Sequence, residues 1–247
     1  MTAAFSCDNP RVLKSSLHPC GLLLIGAAPP AAPRKQETAL HQAAAAGAKN
    51  LQAAMSAREA LLRALAAFVS AGGVRLSWQT NAGAQGAVSG QESAAVLRDA
   101  GIAAGLFQAG NYSGQEIIAG VARDQRGEIA AAVILPGCFS QSPLSPAALA
   151  PGAGLCADDW GAAVVLGDDA ALWALSPARK LVDALQGHEP ASAGRGLLHL
   201  GRARRADFSF AALTPAGEFV WGSPDGELPR AWAGDGSPPR QARAEKR

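Results

Sequence analysis

Hydrophobic residues change their spacing along this 247-residue chain. In residues 37–70, large apolar side chains recur every three or four positions within an alanine-rich background, as they do on a helix face. We predict one or two packed helices there, with a break at Gly47 and an end at Gly72–Gly73. Residues 74–78 alternate between apolar and polar and predict a strand, and the glycine-rich residues 81–91 predict a flexible loop.

The second half of the chain has the pattern of paired strands. Residues 117–135 and residues 207–223 each contain two apolar runs around a short polar turn, which is typical of a β-hairpin. Between them, residues 161–166 predict a strand and residues 170–175 predict its return. A helix follows at residues 176–187, with Ser176 as its cap and Pro177 at its first position.

These elements predict an α+β fold in layers. We divide the chain into an irregular N-terminal segment over residues 1–36, a single α+β domain over residues 37–227 and a disordered tail over residues 228–247. Within the first segment, the run GLLLIG has the pattern of a short buried strand.

Composition limits the partners of the chain. Hydrophobic residues make up 49% and charged residues 17%, enough apolar surface for a globular core. The net charge of +2 comes from a weak basic bias near the end of the sequence, without interleaved aromatic residues, so we predict no nucleic-acid partner. No apolar run is long enough to span a bilayer, so we predict no membrane association.

The cysteine and histidine spacing indicates no metal site. The cysteines are scattered, none forms a C-x-x-C pair, and we expect neither zinc nor another cofactor. Scattered thiols favour a cytoplasmic protein. The alternative is export, because the apolar run at residues 21–28 follows Lys14 as in a short signal peptide. The four cysteines are Cys7, Cys20, Cys138 and Cys156.

Two acid pairs, Asp158–Asp159 and Asp168–Asp169, flank the apolar run in the middle of the second half. Paired carboxylates can form a metal or catalytic site. They are also common in turns, where their side chains bond to nearby backbone N–H groups. Both interpretations remain open from the spacing alone.

Four stretches follow one another in a specific order: the hairpin IIAGVARDQRGEIAAAVILPG, the segment PGAGLCADDWGAAVVLGDD, the helix LSPARKLVDALQGHEP and the closing hairpin DFSFAALTPAGEFVWG. In this order the chain resembles the N-terminal-nucleophile (Ntn) asparaginase family, which includes glycosylasparaginase and the plant-type asparaginase and isoaspartyl peptidase. The resemblance covers residues 114–222. It implies the αββα four-layer sandwich of Ntn hydrolases, and another layered α+β fold is the alternative.

In that family, a precursor cleaves itself before a threonine, whose hydroxyl then attacks the substrate amide with its own α-amine as base. Counting back from Gly127 places this position at Ile117, preceded by Glu116. Isoleucine offers neither a nucleophile nor a proton. The nearest candidates for a displaced nucleophile are Ser113 and Cys138, which flank the first hairpin.

The other catalytic positions of the family also lack their functional groups. A second threonine is expected where this chain has VILPG, residues 133–137, and no arginine for a substrate carboxylate lies between Arg126 and Arg179. The oxyanion-hole pair aligns with Leu166–Gly167, where only the glycine matches. The resemblance leaves Gly167 and Asp168 as candidate substrate-binding residues.

Three hypotheses follow from these observations. The first is an asparaginase-like protein that has lost self-cleavage and amide hydrolysis and serves as a binding or structural subunit. The second is an active Ntn-type amidohydrolase that acts on asparagine or β-aspartyl substrates with a displaced nucleophile. The third is an unrelated α+β binding protein. The family resemblance implies a small amide or amino-acid ligand and a homodimer.

Overall fold

The structure is a computed structural model, in which the described part of the chain forms two antiparallel sheets and five α-helices. This confirms the predicted α+β class. Ser113, Cys138 and the glycine pair at 72–73 lie outside the described residues. The structure describes residues 11–26, 33–68, 74–90, 117–136, 147–224, 230–234 and 237–240.

The large sheet has seven strands, and its central strands are apolar along their whole length. The run GLLLIG is buried at every position, because one face of this strand meets helices and the other meets the second sheet. In spatial order the strands are β12 (Ser237–Arg240), β11 (Arg230–Gly234), β2 (Gly21–Gly26), β5 (Ile118–Arg123), β6 (Ile129–Pro136), β3 (Val74–Thr80) and β4 (Gln85–Gly90).

The small sheet has five strands and packs against the large sheet through an apolar cluster that both sheets share, the inter-sheet cluster. Leu23 and Val121 contribute to it from the large sheet, and Val164 and Phe219 contribute from the small sheet. In spatial order the strands are β1 (Arg11–Leu17), β10 (Glu218–Ser223), β9 (Phe208–Leu213), β8 (Gly161–Gly167) and β7 (Leu155–Asp158).

Helices cover the outer face of each sheet. The first two helices contact β2, β5, β6 and β11 of the large sheet, and the last three contact strands of the small sheet. The apolar faces of all these helices are therefore buried against strands. The helices are α1 (Pro33–Gln52), α2 (Ala57–Ala66), α3 (Asp169–Leu175), α4 (Pro177–Leu185) and α5 (Pro190–Ala203).

Both predicted hairpins and the helix that begins at Pro177 are confirmed. β5 and β6 form the first hairpin, and β9 and β10 form the closing hairpin. Asp124 stabilises the first turn, since its Oδ1 accepts hydrogen bonds from the N–H groups of Arg126 at 2.8 Å and Glu128 at 2.9 Å. Pro177 begins α4, but Ser176 makes no side-chain capping bond to it.

The predicted helix break at Gly47 is wrong, because α1 continues through this residue. A Cβ added at Gly47 would lie 2.8 Å from Leu22 Cδ1 and 3.1 Å from Ala64 Cβ. The glycine therefore allows α1 to approach β2 and α2 closely. The break falls after Gln52, and Ser56 then caps α2 by accepting a hydrogen bond from the N–H of Glu59.

Four further predictions need correction. Residues 170–175 lie in helix α3 rather than in a returning strand. Residues 81–90, the described part of the predicted loop at 81–91, are the turn and return strand of a β3–β4 hairpin. The segment 1–36 is not irregular throughout, since residues 11–26 form β1 and β2. The tail predicted at 228–247 contains β11, which pairs with β2 along its whole length. Sheet pairing stabilises β4 and β11, whose own sequence signals are weak.

Candidate functional site

Arg123, the last residue of β5, shows which strand ends lie together. Its Nε donates to the carbonyl of Pro215 at 3.0 Å, in the β9–β10 turn, and its Nη1 donates to the carbonyl of Pro19, in the β1–β2 turn. The β1–β2, β5–β6 and β9–β10 connections therefore meet at one end of the molecule. The opposite end, marked by Ile117 before β5 and Gly167 at the end of β8, is here called the site end.

Ile117 and Leu135 lie beside each other at the site end. Ile118 pairs with Ile134, so the next residues outward on the two strands are Ile117 and Leu135. Both side chains are partly buried and pack against the inter-sheet cluster. Apolar packing thus fills both positions to which the resemblance described above would assign catalytic threonines.

Leu166 approaches the same cluster from the small sheet and is 3% exposed. The next residue, Gly167, points to the other face of β8, as alternation along a strand requires. A Cβ added at Gly167 would lie 2.4 Å from the carbonyl oxygen of Asp207. Packing alone therefore requires a glycine here, and the residue needs no oxyanion to explain it.

Asp168 and Asp169 act as backbone caps. Asp168 is the N-cap of α3, and its Oδ1 accepts a hydrogen bond from the N–H of Ala171 at 2.9 Å. The Oδ1 of Asp169 accepts one from the N–H of Ala147, also at 2.9 Å. The predicted ligand contact of Asp168 stays a prediction, and its capping bond explains the residue without a ligand.

The other acid pair lies in the turn between β7 and β8. Asp158 accepts a hydrogen bond from the N–H of Trp160 at 2.8 Å and forms an ion pair with Arg179 at 2.9 Å. Asp159 is exposed. Of the two interpretations of the paired acids, the structure supports turn and cap residues. Among the described residues, no group of three or more His, Cys, Asp or Glu side chains could hold a metal ion.

The PGAG segment holds the start of α4 in place. The carbonyl of Gly152 accepts a hydrogen bond from the N–H of Arg179 at 2.9 Å, and the carbonyl of Ala153 accepts one from the N–H of Ala178 at 3.2 Å. Two N–H groups in the first turn of the helix, which have no partner within the helix, are satisfied in this way. The segment therefore fixes α4 against the small sheet.

Two arginines that sequence reasoning missed lie on the inter-sheet face of the large sheet at the site end. Arg75 pairs with Leu135, and Arg230 pairs with Ile25, so each lies on the face of its apolar partner. Both are partly buried. The guanidinium of Arg230 lies 5.7 Å from the ring centre of Trp221, a cation–π contact between the two sheets, and burial lowers its pKa.

A hydroxyl also lies at this end on the small sheet. Ser209 pairs with Leu166 across β8 and β9 and is partly buried. Arg75 could have been found from the sequence, since it lies in the alternating run VRLSW. Arg230 and Ser209 carry no comparable signal, because only strand register brings them to the site end.

Cys156 is the described cysteine nearest to the PGAG segment, and it is 3% exposed in β7. Burial raises the pKa of its thiol to about 11, and the nearby charge of Asp158 adds to this, while Arg179 opposes it. A thiol in this state is protonated at neutral pH and is a poor nucleophile.

We expect iodoacetamide at pH 8 to leave Cys156 unmodified in the folded chain and to modify it in guanidinium chloride. Its raised pKa also means that the thiol contributes stability that is fully present below pH 9.0 and is lost as the pH rises through about 11. Peptide mass mapping of the alkylated protein measures the first effect. Rapid modification of Cys156 in the folded chain would contradict the assignment of a buried, inert thiol.

Comparison with family models and with curated proteins assigns this chain to no family. No protein-family model matches the sequence, and no curated protein matches it. Within the described residues, no helix combines the length and the apolar character needed to cross a membrane. Function is therefore inferred from the side chains at the site end.

Proposed function

We propose that this chain has the layered fold of an Ntn asparaginase without self-cleavage or amide hydrolysis, and that it serves as a binding or structural subunit. One observation carries the proposal. The side chains at the family's nucleophile position, second-hydroxyl strand and oxyanion-hole position, Ile117, Leu135 and Leu166, all pack against the inter-sheet cluster. Acyl transfer needs a nucleophile and a proton acceptor, and alkyl side chains supply neither.

The order of packing supports the fold part of this proposal. Helices α1 and α2 contact the large sheet, the two sheets contact each other, and α3 to α5 contact the small sheet. The αββα sandwich of the Ntn type predicts this order. β5 begins directly after the residue aligned with the nucleophile, as the family pattern also predicts.

The site end is compatible with a ligand that carries a carboxylate, such as an amino acid. Arg75 and Arg230 lie on its inter-sheet face, on strands outside the segment that resembles the family. A guanidinium matches a carboxylate in charge and in geometry. In this proposal these arginines replace the family arginine, which has no counterpart between Arg126 and Arg179.

An assay for ammonia and aspartate release tests the proposal. We expect the purified chain to leave L-asparagine and a β-aspartyl dipeptide unchanged during prolonged incubation. Hydrolysis would contradict it, and the Ser113→Ala and Cys138→Ala variants would then separate the candidates for a displaced nucleophile. Loss of that hydrolysis in one variant would establish the active amidohydrolase instead.

A further inference from the structure

A cavity of about 320 Å³ lies between α4 and α5, on the outer side of the small sheet. It is separate from the site end, because both helices cover the face of the small sheet that points away from the large sheet. The volume is within the range of small-molecule sites, which starts near 300 Å³. We call it the α4–α5 cavity.

The floor of the α4–α5 cavity is apolar. Leu181 and Leu197 are 1% and 5% exposed, and Ala184 and Leu200 form its partly exposed walls. Space for a ligand comes from a small residue in α5, because a Cβ added at Gly196 would meet no atom within 4 Å. An alkyl group placed here would lose its contact with water against this floor.

Each of the three polar side chains that line the cavity can donate a hydrogen bond. Lys180 is an exposed cation on α4, His188 lies in the loop between α4 and α5, and Ser192 lies in the first turn of α5. No acidic side chain lines the cavity, and no described carboxylate forms an ion pair with Lys180. The two acids next to lining residues in sequence, Asp183 and Glu189, form ion pairs with Arg179 at 2.6 Å and with Lys14 at 2.9 Å. The polar lining is therefore complementary to an anion.

We propose that the α4–α5 cavity binds a small carboxylate with an alkyl chain. In this arrangement the carboxylate meets Lys180, and the alkyl chain lies against the apolar floor beside Gly196. Ser192 and Leu200 are eight residues apart on α5, so the lining of the cavity extends about 12 Å along this helix.

Octanoate and octanol are suitable probes, because they share a similar chain and differ in charge. We expect titration calorimetry on the full chain to show saturable binding of octanoate and at least tenfold weaker binding of octanol. The variant Lys180→Gln should weaken octanoate binding about five- to tenfold. Absence of octanoate binding at millimolar concentration, or equal binding of the two probes, would overturn the proposal.

Two matched variants locate the binding site. Gly196→Leu fills the open space in the cavity, and we expect it to abolish octanoate binding. His199→Leu adds the same side chain at an exposed position of α5 outside the cavity, and it should leave binding unchanged. Thermal unfolding of both variants shows whether each is folded. Binding that survives in folded Gly196→Leu would refute this site while leaving the proposed loss of hydrolysis unaffected.

Discussion

Replacing Gly217 with alanine is expected to destabilise the protein by roughly 2–5 kcal/mol. Gly217 has a φ of +89°, and an L-residue in the left-handed region costs about 1–2 kcal/mol. An added Cβ would also lie 1.9 Å from the carbonyl oxygen of His18, and relieving such a clash costs about 1–3 kcal/mol more. Backbone must move to relieve it, because the N–H of His18 donates to the carbonyl of Gly217 at 3.0 Å.

Gly83→Ala is the matched control for this variant. Gly83 has a similar φ of +81°, but a Cβ added there would meet nothing within 4 Å. Its alanine variant should therefore lose only the conformational part, about 1 kcal/mol. Urea denaturation of both variants measures the difference. If Gly217→Ala lost no more stability than Gly83→Ala, the β9–β10 turn would not pack against His18 as described.

Introducing threonine at Ile117 and Leu166, the positions aligned with the family in our proposal, is expected to destabilise the chain without producing an enzyme. Leu166→Thr removes apolar contacts from the inter-sheet cluster and buries a hydroxyl, at a cost of about 2–4 kcal/mol. Ile117→Thr should cost less, because this side chain is only partly buried. The double variant should still not cleave itself, since residues 133–137 provide no second hydroxyl.

Valine variants at the same two positions separate packing from polarity. Valine and threonine have nearly the same shape, so the difference between Leu166→Val and Leu166→Thr measures the cost of the hydroxyl. We expect Leu166→Val to be the more stable of the pair by about 1–3 kcal/mol. Equal stability would mean that Leu166 lies in a polar environment. Cleavage of the double variant before residue 117 would mean that the rest of the catalytic machinery is present.

The sequence predicted correctly the elements whose signals lie close to them in the chain. The two hairpins carry turn residues between apolar runs, and α4 has Pro177 at its first position, so both signals lie within a few residues of the elements they define. The run 170–175 misled for a related reason. Its apolar residues suit a strand or a helix, and the N-cap bond of Asp168 selects the helix.

Long-range pairing explains most of what sequence reasoning missed. β11 lies in a segment rich in proline and charge, but its backbone pairs with β2, which is more than 200 residues distant in sequence. Tertiary contact decides such a strand, and no local pattern contains that information. For the same reason, Arg230 was not a candidate for the site end until the register of the large sheet placed it there.

At the site end, the sequence showed which side chains are apolar, and the structure shows how they pack. Ile117 and Leu166 lack the functional groups that the family resemblance requires, and the structure shows both side chains packed against apolar neighbours. The sequence could not decide the role of the acid pairs, because the spacing of Asp158 and Asp168 fits a metal site as well as a turn. Hydrogen bonds to nearby N–H groups identify them as turn and cap residues.

The most direct test of the central claim is the intact mass of the freshly purified full-length chain. A chain with isoleucine rather than a nucleophile at position 117 should remain a single polypeptide after long incubation at neutral pH. Denaturing electrophoresis and mass spectrometry should therefore show one species that contains both Glu116 and Ile117. Two fragments, one ending at Glu116 and the other beginning at Ile117, would show that self-cleavage occurs. They would contradict the proposed loss of catalysis.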